Sequence, residues 1–267
     1  MIIAQITDLH VRPRGWKANR VVETNAMLAR AVISLNALKP VPDLVLATGD
    51  LVDGGTSEEY RVLREELAKL AMPVYLIPGN HDRREGLREI FADARYFPAG
   101  ERLCYTVEDY PVRLIALDTA IPGRTEGEVG AEQRDWLAAR LAEAPQKPTI
   151  VFMHHPPFPT GIGHMDSINC RDGEAVGTII ARHPQVERVV CGHYHRPIQI
   201  RWAGTIGSVA PSTAHQVTLD LTAGAPSSFC LEPPALHLHC WIAGAGIVTH
   251  QAYIGEFPGP YPFCGDS

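Results

Sequence analysis

The sequence predicts a layered α/β fold with two sheets, and three observations support this class. Short apolar runs alternate with helical patterns over the first 191 residues, as in sheets whose strands are connected by helices. After about residue 196, shorter alternating segments with many turns indicate antiparallel strands that complete a second sheet. The last forty-odd residues are rich in Pro, Gly and aromatic residues, so we expect an irregular C-terminal cap or tail there.

The strands of the first part are predicted from apolar runs of four to six residues. Runs of this length bounded by turn signals are typical of buried strands. The runs are IIAQI (2–6), DLVLAT (43–48), VYLI (74–77), VRLIAL (112–117), TIVFM (149–153) and ERVVC (187–191).

Three helices are predicted between these strands. The first follows from Leu28, Val32, Leu35 and Leu38, whose spacings of four, three and three place them on one helix face. The second begins at TSEE (56–59), where the first and last residues are spaced to form a capping box. The third begins near Gly130 and carries Trp136, Leu137 and Leu141, which completes the predicted alternation.

The composition is that of an ordinary soluble globular protein. Of 267 residues, 45% are hydrophobic and 20% are charged, and the formal net charge is −6. An acidic balance argues against a nucleic-acid polymer as partner. Neither a signal peptide nor a membrane span is recognisable, so we expect a cytoplasmic protein that does not bind membranes. The six scattered cysteines are expected to be reduced, with one bridge through Cys264 left open.

Polar side chains that can bind metals follow five of the apolar runs directly. Because ligands bind beyond the carboxyl ends of strands in open α/β sheets, we expect these side chains to converge in one small volume. Asp8 with His10, and His193 with His195, are spaced to project from one face of an extended chain. The candidates are Asp8, His10, Asp50, Asn80, His81, His154, His155, His193 and His195.

The donor types predict a centre of two divalent metals. Oxygen and nitrogen donors without cysteine suit Mn, Fe, Co or Zn. The ligands are too numerous for one catalytic ion, but two ions bridged by Asp50 would accommodate them. Two ions about 3.5–4 Å apart form a clamp for displacement at phosphorus. Against two carboxylates, such a centre keeps about two positive charges, which attract a phosphodiester monoanion.

These motifs together resemble the calcineurin-like metallophosphoesterases. Within that family, the chain is similar to the branch of class III cyclic nucleotide phosphodiesterases and glycerophosphodiesterases, through LIPGNHD, EQRDWL, MHHPPFPTGIGHMD and STAHQV. The family motifs stand here as Asp8/His10, Gly49-Asp50, Gly79-Asn80-His81-Asp82, His154 and Gly192-His193-Tyr194-His195.

The resemblance implies a four-layer αββα sandwich with two mixed sheets and a small C-terminal cap or tail. Residues 1–221 would form the catalytic domain and residues 222–267 the cap or tail. One metal would be bound by Asp8, His10, Asp50 and His195, and the second by Asp50, Asn80, His154 and His193.

The expected activity is hydrolysis of small phosphodiesters, glycerophosphodiesters or cyclic nucleotides, by a hydroxide that bridges the two metals. His81 is expected to contact the phosphate or leaving oxygen as hydrogen-bond donor or general acid, with Asp82 supporting it. His215, Phe158 and His164 are the expected substrate contacts.

Two alternatives to this activity stay open. One is a phosphomonoesterase or nucleotidase with the same centre, ranked lower because no basic cluster flanks the motifs. The other is a non-catalytic metal-binding scaffold, which the complete set of histidines argues against. A homo-oligomer is compatible with the sequence.

Overall fold

The computed structural model describes residues 1–263, which form thirteen strands and six helices. The strands are β1 Ile2–Ile6, β2 Leu44–Thr48, β3 Val74–Ile77, β4 Tyr105–Val107, β5 Arg113–Leu117, β6 Thr149–Met153, β7 Val186–Cys191, β8 Ile198–Trp202, β9 Thr205–Val209, β10 Gln216–Val217, β11 Phe229–Cys230, β12 Ala235–Ile242 and β13 Gly246–Tyr253. The helices are α1 Thr24–Ala37, α2 Ser57–Leu67, α3 Arg84–Ile90, α4 Ala131–Glu143, α5 Gly163–Asp166 and α6 Gly173–Ile180.

The strands form two large mixed sheets, which confirms the predicted class. The first sheet has the order β13-β12-β1-β2-β3, in which β1, β2 and β3 are parallel. β12 is antiparallel to β1, and β13 is antiparallel to β12. The second has the order β4-β5-β6-β7-β9-β8, with its four central strands parallel. The carboxyl ends of β1, β2, β3, β6 and β7 carry the predicted ligands.

Three apolar cores hold the layers together. The core between the sheets contains side chains such as Leu46, Leu114 and Phe152, which are fully buried. A second core joins the first sheet to α1 and α2, and a third joins the second sheet to α4 and α6. Helix, sheet, sheet and helix therefore stack as four layers, as the family resemblance implies.

The predicted helix starts agree with the structure at two places. Thr56 caps α2, because its side chain accepts the amide of Glu59 while the Glu59 carboxylate accepts the amide of Thr56. Gly130 precedes α4 as its N-cap. Leu38, the last of the predicted apolar positions, lies just beyond α1 and still packs against the core beside that helix.

The expectation of an irregular C-terminal cap or tail is wrong for residues 235–253. These residues form the hairpin of β12 and β13, and β12 pairs with β1 in the first sheet. Polar residues of β12, His237 and His239, are buried. The alternation of polar and apolar residues in this strand therefore does not show which of its faces is buried. The sandwich therefore includes part of the predicted tail.

The cysteines agree with the expected reduced state where the structure describes them. Cys104, Cys170, Cys191, Cys230 and Cys240 are free thiols. The bridge left open for Cys264 lies outside the described residues. Among residues 1–263, no helix has the length and apolar character that crossing a membrane requires.

Candidate metal centre

The seven predicted metal ligands meet where the two sheets end side by side. Each follows the carboxyl end of a strand, as expected for ligand sites of α/β sheets. Asp8 and His154 are fully buried, Asp50 is 2% exposed, and the other predicted histidine ligands are at most 7% exposed. The ligand set is Asp8, His10, Asp50, Asn80, His154, His193 and His195.

The first group of donor atoms belongs to Asp8, His10 and His195. The Nε2 atoms of His10 and His195 are 3.3 Å apart, and His195 Nε2 is 3.4 Å from Asp8 Oδ1. Four ligands placed tetrahedrally about a zinc ion, at about 2.05 Å, would be about 3.3 Å from one another. Donors at this separation fit a shared divalent ion.

A second group of donors lies on the other side of Asp50. His154 Nε2 is 3.4 Å from Asp50 Oδ2 and 3.3 Å from Asn80 Oδ1, and the rings of His154 and His193 are 5.2 Å apart. Asp50 Oδ2 is also 3.8 Å from His10 Nε2 of the first group. One carboxylate therefore stands between both groups.

The outer nitrogen of each histidine is held by a protein oxygen. His154 Nδ1 bonds the Thr48 carbonyl at 2.8 Å, and His195 Nδ1 bonds the His215 carbonyl at 2.8 Å. A carbonyl only accepts, so these rings carry a hydrogen on Nδ1 and direct Nε2 toward the centre.

The other two predicted histidine ligands are oriented in the same way. His193 Nε2 bonds the Ile168 carbonyl at 3.1 Å, so its Nδ1 is the nitrogen left for the centre. His10 Nδ1 is 3.1 Å from the Asp53 carboxylate. Against the effect of burial, Asp53 raises the pKa of His10 and Asp50 raises the pKa of His154 to about 9, so these two rings would release a proton when a metal ion binds.

The backbone of the centre is strained at most of the predicted ligands. Their φ values are positive, in a region that non-glycine residues rarely occupy, and such strain is typical of functional sites. The values are 53° at Asp8, 45° at His10, 47° at Asp50, 72° at His193 and 52° at His195. The paired residues therefore converge, but not through the extended geometry that their spacing predicts.

Two glycines allow the ligands to approach the backbone. A Cβ atom at Gly79 would lie 2.2 Å from Asp50 Oδ1, and one at Gly49 would lie 2.4 Å from His154 Nδ1. Gly49 also has a φ of +91°, which disfavours any side chain. Only glycine fits at these two turns.

The charges of the centre are shifted by burial and by one another. Burial raises the pKa of Asp8 to about 6, and it lowers the pKa of His195 to about 3, as does the neighbouring His10. Burial also lowers the pKa of His193 to about 3. His193 and His195 are therefore held in the neutral form that binds divalent metals.

His81 lies at the open side of the centre. Its side chain is 39% exposed, its Nδ1 is 2.7 Å from the Asp53 carbonyl, and its ring packs edge-on against His10 at 4.7 Å. The expected support of His81 by Asp82 is not how the structure arranges these residues. The Asp82 carboxylate accepts the amides of Leu51 and Gly79 at 3.0 and 2.8 Å and so fixes the loops after β2 and β3.

The three predicted substrate residues differ in their positions. The His215 ring is 4.7 Å from His195 and 5.3 Å from His10, at the edge of the centre. Phe158 is 1% exposed and packs in the core of the second sheet, where a Cβ atom at Gly207 would lie 2.3 Å from its ring. Phe158 is therefore a core residue and not a pocket wall. No hydrogen bond or ring contact joins His164 to the predicted ligands within residues 1–263, and its role stays a prediction.

Asp53 contacts the predicted centre, although the motifs do not identify it. Its carboxylate contacts His10, and its other oxygen accepts Arg12 Nη1 at 2.8 Å. Its carbonyl holds His81, so this one residue orients two rings of the centre. The only sequence signal is its position three residues after Asp50.

His155 is also explained by its contacts. Its Nδ1 bonds the Thr119 hydroxyl at 2.7 Å, and its Nε2 is 3.2 Å from the Thr125 carbonyl. Both ring nitrogens therefore have protein partners. His155 packs against His154 and His193 as a support for the centre, with ring separations of 4.7 and 4.6 Å.

Known proteins with the same fold and sequence pattern agree with this geometry. A dimetal phosphatase from Danio rerio superposes with a TM-score of 0.64 at 15% identity, over 96% of this chain and 99% of that chain, which shows the shared fold. This centre, together with relatives named as phosphodiesterases, makes the chain a metal-dependent phosphoester hydrolase. The chain belongs to the calcineurin-like phosphoesterase family, whose sequence pattern matches residues 1–197.

Two relatives extend the similarity beyond that pattern. The probable glycerophosphodiester phosphodiesterase GpdQ of Arcobacter nitrofigilis is 40% identical over 98% of this chain and 97% of its own length. The 3',5'-cyclic adenosine monophosphate phosphodiesterase CpdA of Escherichia coli is 31% identical over 80% of this chain and 76% of its own length. Members of the family use two divalent metals.

Proposed function

We propose that this chain hydrolyses small phosphodiesters at a centre of two divalent metal ions. One ion would be held by Asp8, His10, Asp50 and His195, and the other by Asp50, Asn80, His154 and His193. When bound, the ions supply a water of lowered pKa and neutralise charge on the phosphoryl oxygens.

The position of Asp50 is the observation that carries this proposal. Its Oδ2 atom faces His10 Nε2 at 3.8 Å and His154 Nε2 at 3.4 Å, so one oxygen stands between the two donor groups. Its Oδ1 atom accepts the amide of His81 at 2.9 Å, which fixes the carboxylate in this orientation. A carboxylate between two sets of imidazoles suits a pair of ions that share one ligand.

In this proposal, His81 supplies a proton to the leaving oxygen. Since the Asp53 carbonyl accepts from Nδ1 at 2.7 Å, Nδ1 carries a hydrogen, and Nε2 is the atom free to donate when the ring is protonated. The 39% exposure of the side chain leaves this atom accessible to a substrate that approaches the open side. Asp82 acts indirectly, by holding the loop that carries His81.

Glycerophosphodiesters are the substrate class that we place first. The probable glycerophosphodiester phosphodiesterase relative is 40% identical over 98% of this chain, whereas the cyclic AMP phosphodiesterase of Escherichia coli is 31% identical over 80% of it. Cyclic nucleotides share the diester monoanion, so we expect slower turnover of cyclic AMP at the same centre.

Activity after metal removal and reconstitution tests the proposal. The stripped protein, reloaded with Mn or Zn, should hydrolyse bis(p-nitrophenyl) phosphate and glycerophosphoethanolamine faster than cyclic AMP, and p-nitrophenyl phosphate most slowly. Activity that survives complete metal removal, or no activity on any of these substrates, would contradict the proposal.

Two aspartates at opposite ends of β2 provide a matched pair of variants. Asp50→Asn should lose diester hydrolysis and metal binding, because the shared ligand is weakened. Asp43→Asn removes an exposed carboxylate that accepts the amide of Ile2 at 2.6 Å, and it should keep both. Equal activity of the two variants would show that Asp50 does not bridge a metal pair.

A further inference from the structure

A tight turn between β1 and α1 lies beside the candidate metal centre. Ala18 and Val22 exchange two backbone hydrogen bonds, at 3.0 and 2.9 Å, and the amide of Val21 donates to the Ala18 carbonyl at 3.1 Å. Asn19 and Arg20 are the two central residues, with φ values of 46° and 66°. Positive φ at both central positions is typical of a type I′ turn. The chain therefore reverses its direction at Asn19 and Arg20.

The second of these two positions is unusual for its residue type. The turn between β8 and β9 also has positive φ at both central residues, 51° at Ala203 and 83° at Gly204, and glycine occupies its second position. Asparagine tolerates positive φ, but arginine is strained there. The turn at Asn19 and Arg20 thus differs from an ordinary hairpin turn in the strain that it holds.

A small apolar cluster fixes the base of this turn. Ala18 and Val22 are at most 1% exposed and pack against Ala214, which is fully buried. Ala214 directly precedes His215 in the sequence, so the cluster joins the turn to the segment that borders the centre. The turn is therefore held in place beside His215.

The side chain of Asn19 lies against the edge of the centre. Its Nδ2 atom is 3.5 Å from His215 Nε2, at the upper limit of a hydrogen bond. The His215 ring is 5.3 Å from the ring of His10, and the ring of His81 packs against the same His10 at 4.7 Å. His81 and His215 thus both adjoin His10, and Asn19 lies on the His215 side of it.

The Asn19 amide has hydrogen-bonding groups that the protein does not use. The residue is exposed, and His215 is the one hydrogen-bond partner of its side chain within residues 1–263. A second N–H and the carbonyl oxygen remain, so the amide can donate to one group and accept from another. A hydroxyl also donates and accepts, and a vicinal diol offers two hydroxyls on adjacent carbons. The amide therefore matches a diol better than it matches an apolar chain.

We propose that Asn19 recognises the glycerol hydroxyls of the substrate and so sets a preference for a polyol arm. This role rests on the phosphodiesterase function proposed above, because the metal pair would hold the scissile phosphate. The glycerol arm would extend from the phosphate past His215 to the turn. There the Asn19 amide would exchange hydrogen bonds with its hydroxyls.

Two product analogues that differ only in their hydroxyls test this contact. sn-Glycerol 3-phosphate carries both hydroxyls and propyl phosphate carries none, while the phosphate group is the same. Isothermal titration into the Mn-loaded protein should show glycerol 3-phosphate binding about tenfold more tightly. Equal affinities would overturn the role of Asn19 and leave the metal centre standing. Failure of both compounds to bind would contradict the metal centre as well.

Asn19→Gly and Arg20→Gly provide a matched pair of variants on the same turn. Asn19→Gly removes the amide without straining the backbone, because glycine adopts positive φ readily. It should weaken glycerol 3-phosphate about tenfold and leave propyl phosphate unchanged. Arg20→Gly keeps the amide, so it should keep the preference for glycerol 3-phosphate. Loss of the preference in both variants would show that the turn, and not the amide, is responsible.

Turnover by the metal-loaded protein separates recognition of the substrate from support of His215. Asn19→Gly should lower kcat/KM about tenfold for glycerophosphoethanolamine, mainly through KM, because a hydrogen bond to the glycerol arm is lost. The value for bis(p-nitrophenyl) phosphate, which has no hydroxyl, should stay unchanged. An equal loss on both substrates would show that Asn19 only positions His215 and would overturn the proposal. Chemical denaturation of both variants should show no loss of stability, which confirms that the fold is kept.

Discussion

The molecule buries two groups of histidines, one at the predicted metal centre and one in β12. His239 is fully buried like His154, yet both of its nitrogens have side-chain partners, Gln5 Oε1 at 3.0 Å and Thr249 Oγ1 at 2.8 Å. His154 has one nitrogen bonded to a carbonyl, while the other faces a carboxylate and an amide oxygen. Burial is the same for His154 and His239, and what distinguishes them is that one nitrogen of His154 faces two further candidate metal ligands.

The largest expected effect is on metal binding and turnover, when the removal of one imidazole from the metal centre is compared with the removal of one from β12. His154→Ala should lose a metal ion and reduce kcat/KM by more than about 100-fold, because it removes a ligand. His239→Ala should keep both metals and lose about 2–3 kcal/mol of unfolding free energy, because Gln5 and Thr249 lose their partner. Metal analysis and chemical denaturation of both variants measure this. Loss of metal from His239→Ala would break the comparison.

Replacement of His81 tests the accessible ring at the edge of the centre. His81→Ala should reduce turnover of alkyl diesters, which have poor leaving groups, by about 100-fold, because the proton donor is lost. Turnover of bis(p-nitrophenyl) phosphate should fall much less. Rates on both substrates give the answer, and an equal loss on both would remove the general-acid role.

Asn80 tests whether the two halves of the centre bind metal equally. A neutral amide oxygen binds a cation more weakly than a carboxylate does, so Asn80→Ala should lose the ion near His154 and His193 first. We expect the metal content to fall from two ions to one, measured by titration into the stripped protein. Two equally tight ions in both the wild type and the variant would be inconsistent with this asymmetry.

The smallest expected effect concerns the pH dependence of His237 in β12. Burial, together with the nearby Arg188, lowers the pKa of His237 to about 4. The ring stays neutral in the fold but takes up a proton in the unfolded chain below about pH 6.5, so its contribution to stability is present above that pH and is lost as the pH falls toward 4. Between pH 7 and pH 5 the wild type should lose about 2 kcal/mol more than His237→Gln. Equal losses of unfolding free energy in the two proteins, measured by denaturation, would show that the pKa of His237 is not lowered in the fold.

The sequence predicts the ligand set better than the contacts around it. The motif residues converge because they follow strand ends, which local patterns reveal. Asp53 acts through contacts with His10 and His81, which lie on loops distant from it in the sequence, and no spacing rule reports these. The loop after His154 and His155 predicts Phe158 as a substrate contact, whereas its ring packs in the core against Gly207, where a Cβ atom would lie 2.3 Å from it.

The C-terminal strands show a second limit of local patterns. β12 has histidines at inward positions, so its alternation does not indicate which face is covered. Its neighbour in the sheet is β1, from the other end of the chain, and the register of Ile2 with Cys240 cannot be inferred from either segment alone.

This pairing also affects the order in which the protein can form during synthesis. With Ile2 aligned to Cys240, β1 leaves the ribosome long before the strand that covers its free side. At about 5–20 residues per second, that delay is on the order of ten to fifty seconds. Until then the nascent chain carries an apolar strand with an unpaired edge, which is a target for holdase chaperones and for association with other nascent chains.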